Sequence, residues 1–514
     1  MNKKFTSTLA GAFIFITILN LFSRGLGFFR EVLFANYFGR GIEFDVYLIG
    51  AVIPITINTV ALFIGQNYFI PAYHKLKSRD PESTNQFFTA NFFVFILIGF
   101  LISIVLYFLS ETIIDVYLNT DDKSLKDIAV NIFRLFLITI PFTFAISILT
   151  ASEQAEYKFK YPAIGRLFLN LTIIPILIFF TDRFGIYTIP LGFIFGISFQ
   201  FIYLLMKGNS RVSFSFFSLK DKREVFNFLD ITIFSIILIE TIGQFYLLAD
   251  RYFFKMVDQG GIASLSYASN LFNLPVSVVS LAFATVIFPK FSENIQTKSF
   301  DDLQKNLSDF IRANLLFFVP IAFVFFFYGD VIIKILFERG KFEYSDTLDT
   351  FMALKVYAIS LIFYSTYAIL NKILYGAKLV NLLLIITVAG IALKIILNFV
   401  FVGLWKQNGL ALSTSISYIF FFLISFILVY KKLPLKNHNV FIREFSFHVS
   451  NGIITYFIVA LVFYPIVINN ILFDLVEIML FVLLYVLNII ILGNKSLLMV
   501  KILLNSLKPA RSLE

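Results

Sequence analysis

Of the 514 residues, 59% are hydrophobic and only 14% charged, about half the charged share of soluble domains. With a mean hydropathy of +0.86, this excludes a soluble globular chain and reads as an all-α polytopic membrane protein. The formal charge of +10 does not argue for nucleic acid, because the positive residues gather between apolar runs, where they set topology and meet anionic lipid. The chain has no cysteine and three histidines, so thiol chemistry is excluded, and no metal site or cofactor is expected.

The first apolar run, Leu9 to Phe22, heads into SRGLGFFREVLFANYFGRGIEFD, residues 23–45. Arg24 and Arg30 fall inside or at the end of this run, and Gly25 and Gly27 loosen the helix between them. Ionisable groups in a spanning helix are costly unless they face protein or a water-filled cavity. Together with Asp45, which enters the next apolar run, the two arginines make a candidate polar face for an anionic ligand. The alternative is that both arginines snorkel to the lipid headgroups.

Taking about 20 apolar residues as one crossing, spans fall at 9–29, 46–70, 89–110, 128–150, 163–180, 185–206, 228–249, 264–288, 311–328, 351–375, 381–403, 410–430, 447–468 and 474–493. No A-x-A-like site follows the first run, so a cleaved signal peptide is not expected. Lysine and arginine mark alternate connections, from Lys3 and Lys4 through Lys75, Lys77 and Arg79 to Lys495 and Arg511. The opposite connections are short or acidic, as at Glu111, Asp115, Asp121 and Asp122. That alternation predicts fourteen transmembrane helices with both termini cytoplasmic, since an odd count would split them.

A repeat runs through the chain. IPITINTVALFIGQNYFIPAY from Ile53 is echoed by LPVSVVSLAFATVIFPKF from Leu274, with Pro54 opposite Pro275, and LSETIIDVYL from Leu109 by YGDVIIKILF from Tyr328. The predicted organisation is a six-helix bundle over 1–206, a basic amphipathic linker on the cytoplasmic face over 207–227, and a second bundle over 228–430. Two extra helices and a basic cytoplasmic tail follow over 431–514. Parallel repeats of this kind are a transporter arrangement, with the site between the halves.

These residues bring a family into view. SRGLGFFREVLFANYFG with FDVY, ADRYF (249–253), LSYASNLFNLP (265–275), LAFATVIFPKFSE (281–293) and LFERGKF (336–342) resemble the MurJ/MviN family of the multidrug/oligosaccharidyl-lipid/polysaccharide exporter superfamily. The resemblance runs from about residue 7 to residue 432. It implies two six-helix bundles and a hydrophobic groove on the extra helices for a polyprenyl tail. It also implies a flippase for undecaprenyl-pyrophosphate-linked glycan precursors in the bacterial cytoplasmic (inner) membrane, binding its cargo and alternating access without catalytic residues. By that resemblance Arg24 and Arg30 hold the headgroup phosphates, as bidentate donors suit them, and Asp45 orients them or closes the gate.

Departures from the family pattern bear on the cargo. The arginine pair usual in helix two reads Asn58 and Thr59, and the arginine and acidic residue of helix eight read Asn270 and Asn273. Amides hydrogen-bond sugars well but grip phosphate weakly, which favours a surface-polysaccharide unit over lipid II, the type cargo. The family's sodium site, on helices seven, eleven and twelve, maps to Asp250, Lys394, Asn398 and Thr414. An ammonium in an oxygen cage repels the ion, so Lys394 is expected to pair with Asp250 in its place. Glu240 is a separate candidate for proton coupling, and the drive is left among sodium, protons and membrane potential.

Two other classes compete. An ion-coupled exporter of small organic cations would want an acidic, aromatic cavity, whereas the first helix offers arginines. A sugar- or phosphate-transferring enzyme would need acidic metal-binding clusters. The only Asp-Asp pairs, Asp121-Asp122 and Asp301-Asp302, lie beside lysine in ordinary connections, and no P-loop is present. The expected partners are the polyprenyl-pyrophosphate-linked saccharide and membrane lipid, with oligomeric state open.

Overall fold

The computed structural model describes residues 9–78, 83–118, 120–208, 231–463 and 470–493. Beyond Gly208, the expected amphipathic linker lies outside these residues, as do the chain termini and the basic tail. Among the described residues the chain is helical and holds no strand. It divides into two compact units, residues 1–263 with 339–342, and residues 264–338 with 343–514.

The first unit begins with α1 (Leu9–Phe38) and α2 (Ile42–Ile64). A π-helical turn, Gly65–Phe69, joins α2 to α3 (Ile70–Lys77). Pro71 accounts for that turn: its ring lacks an N–H and collides with the carbonyl four residues back, and widening one turn relieves both. After α4 (Ser83–Leu118), α5 (Lys123–Leu137) and α6 (Thr139–Ala155) run on as one span. Asp122 caps α5, its carboxylate accepting from the N–H groups of Ser124 and Leu125. The Ser124 hydroxyl, followed by those N–H groups, holds this carboxyl below its ordinary range.

Next come α7 (Lys160–Phe184) and α8 (Thr188–Lys207), together a helical stretch of 48 residues. At 1.5 Å per residue this is more than twice a bilayer core, and the chain instead folds back at a short 3₁₀ turn, Gly185–Tyr187. Gly192 packs on Ile173, Gly196 on Leu169 and Gly165 on Leu204, the pattern of an antiparallel hairpin. The unit is completed by α9 (Ile231–Arg251) and by the segment Arg339–Phe342, whose Lys341 N–H donates to the Asn36 carbonyl at 2.9 Å. Gly340 is required there: its φ is +57°, and a Cβ would lie 2.2 Å from that same carbonyl oxygen. Its core is aromatic, with Phe69, Phe87, Phe88, Phe133 and Phe136 fully buried.

The second unit contains most of α10 (Gly261–Gln296), then α11 (Phe300–Phe327), α12 (Gly329–Phe337) and α13 (Tyr344–Gly376). Asp301 and Asp302 fall in the first turn of α11, where carboxylates complement the helix dipole. Helix α14 (Val380–Lys432) is two helices meeting at Lys406, whose φ of 50° and ψ of −128° break the ladder. The arms return on each other, Gly390 against Phe421 and Gly409 against Phe401.

The extra helices are α15 (Asn439–Phe463) and α16 (Ile471–Ile491). Arg312 on α11 ties α15 down by donating to Glu444 at 3.0 Å. His448, fully buried, meets the Tyr485 hydroxyl at 2.7 Å, and Asn488 donates to Asn451 and Thr455.

Ten stretches among the described residues are long and apolar enough to cross a membrane. Two of them are the hairpins α7–α8 and α14, so they supply twelve crossings, and α1 and α9 bring the total to the fourteen expected.

Candidate functional site

Arg24 lies midway along α1, and its side chain is exposed. A 30-residue helix is about 45 Å long, longer than the hydrocarbon core, so a mid-helix guanidinium is far from either end. Six residues on, Arg30 is held quite differently. Its Nη2 and Nε donate to Glu31 at 2.7 and 3.2 Å, and its Nη1 donates to Asn170 Oδ1 on α7 at 3.2 Å. The guanidinium also stacks over Phe34 and Phe193, 5.5 and 5.4 Å from the ring centres. Only 18% of the Arg30 side chain is exposed. Arg30 is thus neutralised and fixed between α1, α7 and α8, while Arg24 presents its charge.

Three residues of this neighbourhood go unremarked in the sequence reading. Glu31 adjoins Arg30, and Asn170 donates in turn to the Ser23 carbonyl at 3.2 Å. Arg166, one turn before Asn170 on α7, shares that residue's face, and the charge of Arg24 bears on it. The available signal was a polar i, i+4 pair within an otherwise apolar helix, KYPAIGRLFLNLTIIP.

Asp45 is completely buried. One carboxylate oxygen accepts from the Gly260 N–H at 2.7 Å and the other from the Ala263 N–H at 2.6 Å. The aspartate therefore holds the first turn of α10, whose positive end favours an anion. Arg40 closes the same knot, donating to the carbonyls of Gly260 and Gln259 at 3.1 and 3.4 Å. Each Asp45 oxygen thus has a backbone donor, and the side chain holds the start of α10 in place.

Asn58 donates to the Thr139 hydroxyl at 2.7 Å, and its Oδ1 is buried with no partner among the described residues. Asp250 is buried and Glu240 half-buried on α9, both in the first unit. The other candidates belong to the second unit. Asn270 is half-buried, and Asn273 is exposed with its amide turned back to the Ser269 carbonyl at 2.8 Å. Lys394 and Asn398 are buried on the first arm of α14 and Thr414 on the second. The candidate site thus falls into two sets, one in each unit.

Comparisons with known proteins bear on what these sets serve. The family model described as "Lipid II flippase MurJ" matches residues 34–488. A probable lipid II flippase MurJ of Borreliella burgdorferi is 28% identical, covering 89% of this chain and 88% of its own. Its counterpart in Buchnera aphidicola subsp. Schizaphis graminum is 27% identical, over 88% of this chain and 89% of its own. A solved structure titled "Lipid II flippase MurJ, inward closed conformation" aligns with a TM-score of 0.78 at 26% identity, covering 92% of this chain and 97% of that one. A multidrug resistance MATE family transporter of the MOP superfamily has the same fold, with a TM-score of 0.69 at 12% identity over 81% of this chain and 98% of that one.

Proposed function

The chain belongs to the lipid II flippase MurJ family, and from that premise we propose that it moves an undecaprenyl-pyrophosphate-linked peptidoglycan precursor across the bacterial cytoplasmic membrane. The movement is alternating access with both termini cytoplasmic, and no bond of the cargo is made or broken. The observation that carries this reading is Arg24: an exposed guanidinium midway along a spanning helix is stable only opposite protein, water or an anion, and a pyrophosphate is such an anion.

Two lines bear on the cargo. The amides at Asn58, Asn270 and Asn273 favour a sugar-rich unit of another kind, such as a surface polysaccharide. Against this, relatives named for lipid II match over nearly the whole chain, which favours the peptidoglycan precursor. Asn58, whose Oδ1 has no partner among the described residues, then offers an acceptor to a sugar hydroxyl.

The deciding experiment is mass spectrometry of lipid co-purified with the full-length protein in mild detergent. A pyrophosphoryl-linked disaccharide pentapeptide is expected. A polyprenyl-linked glycan without peptide would overturn the cargo, and a lipid without pyrophosphate would overturn the reading itself.

A further inference from the structure

We infer that Arg166 on α7 and Arg24 on α1 form a two-guanidinium site selective for a diphosphate over a monophosphate. The inference rests on the flippase reading and specifies which groups grip the headgroup.

The geometry begins at Asn170. Its amide is bonded to α1 at both ends, donating to the Ser23 carbonyl and accepting from Arg30, so the face of α7 that bears it lies on α1. Arg166 precedes it by four residues and shares that face. As first and fifth crossings, α1 and α7 run the same way through the membrane. Long helical side chains lean toward the N-terminus of their own helix, so Arg24 leans back from the level of Ser23 toward that of Arg166. The positive charge of Arg24 bears on Arg166 in turn.

Compensation is what distinguishes this pair from Arg30. Glu31 neutralises Arg30. Among the described residues, no carboxylate takes up Arg24 or Arg166, and both side chains are exposed. Two adjacent cations without an acid repel each other, and a ligand carrying two linked anionic groups turns that repulsion into attraction. Each guanidinium offers a planar fork that matches one phosphoryl group. A monophosphate satisfies one fork and leaves the other repelled. The pair also offsets the loss of phosphate grip where an amide stands at Asn58.

The test uses the full-length protein in mild detergent with farnesyl diphosphate and farnesyl monophosphate as probes, their affinities read by native mass spectrometry. The wild type should prefer the diphosphate. Arg166→Ala should weaken diphosphate binding about tenfold or more, as expected for lost charge-assisted hydrogen bonds, and leave the monophosphate nearly unchanged. Arg166→Gln should behave as the alanine variant, Arg166→Lys should recover only part of the preference, and Arg24→Ala should weaken both probes. Arg183→Ala removes a cation at the far end of α7 and should change neither affinity.

If the wild type prefers the diphosphate and the Arg166 variants keep that preference, the inference falls and the flippase reading stands. Equal losses from Arg183→Ala would reduce the effect to bulk charge and overturn the inference likewise. A wild type that shows no preference between the probes overturns both.

Discussion

Asp45 is a carboxylate placed by sequence beside the arginines of α1, and in the structure it also holds backbone. Two backbone N–H groups at the start of α10 donate to it. Charge-assisted bonds of this kind are worth about 1.5–3 kcal/mol each, and a buried donor left unpaired carries its full desolvation penalty. Asp45→Ala should therefore lower stability by about 3–5 kcal/mol, read as a fall in the midpoint of thermal unfolding in detergent. Asp45→Asn keeps one acceptor oxygen and should fall between. A wild-type midpoint for the alanine variant would show that the cap contributes nothing. At this scale the charges of Arg24, Arg30 and Asp45 were legible, because an ionisable group stands out in an apolar run. Their partners were not. Asn170 lies 140 residues from Arg30, and Gly260 acts through its backbone, which no side-chain pattern reveals.

Helices are where the sequence was most readable, since length and hydropathy alone set what can cross a bilayer. What it left open is how neighbouring runs join. Apolar run lengths already separate the single span at 128–150 from the pairs at 163–180 with 185–206 and 381–403 with 410–430, but they do not show the turns themselves, which depend on the backbone conformation at Gly185 and Lys406. The π turn is a partial exception, because Pro71 announces a break without saying how wide. At its start Gly65 meets α6 so closely that an added Cβ would lie 2.7 Å from Ser147 Cβ and 2.9 Å from the Ser147 carbonyl carbon. Neither atom is the end of a flexible side chain, so Gly65→Ala must separate α2 from α6. Overpacking of this sort costs about 1–3 kcal/mol. The expected outcome is a lower unfolding midpoint with faster hydrogen exchange at the α2–α3 junction. Unchanged exchange there would mean the two helices have room to part.

For the molecule as a whole the open matter is the drive. A coupling ion works by binding one conformation better than another, and it shifts the population only by that difference. A site already filled by a fixed protein charge has no such leverage. Lys394 is 1% exposed, and Asn398 and Thr414, at 0% and 4%, lie at matching levels on the two arms of α14, as the Gly390–Phe421 contact aligns them. We propose that the buried Lys394 ammonium stands in for a sodium ion at this level of α14, since a fixed cation in low dielectric strongly repels a second one. We expect the wild-type protein to show no saturable binding of labelled sodium, and its unfolding midpoint to be the same in sodium as in potassium at equal ionic strength. A ligand present at a hundred times its dissociation constant would raise stability by about 2.7 kcal/mol, well within reach of a melting measurement. Lys394→Met removes the charge while keeping a long apolar stem, so sodium-dependent stabilisation appearing only in that variant would mark the lysine as the ion's replacement. Saturable sodium binding by the wild type would show instead that the ammonium and the ion occupy separate places, and would return sodium to the list of driving forces.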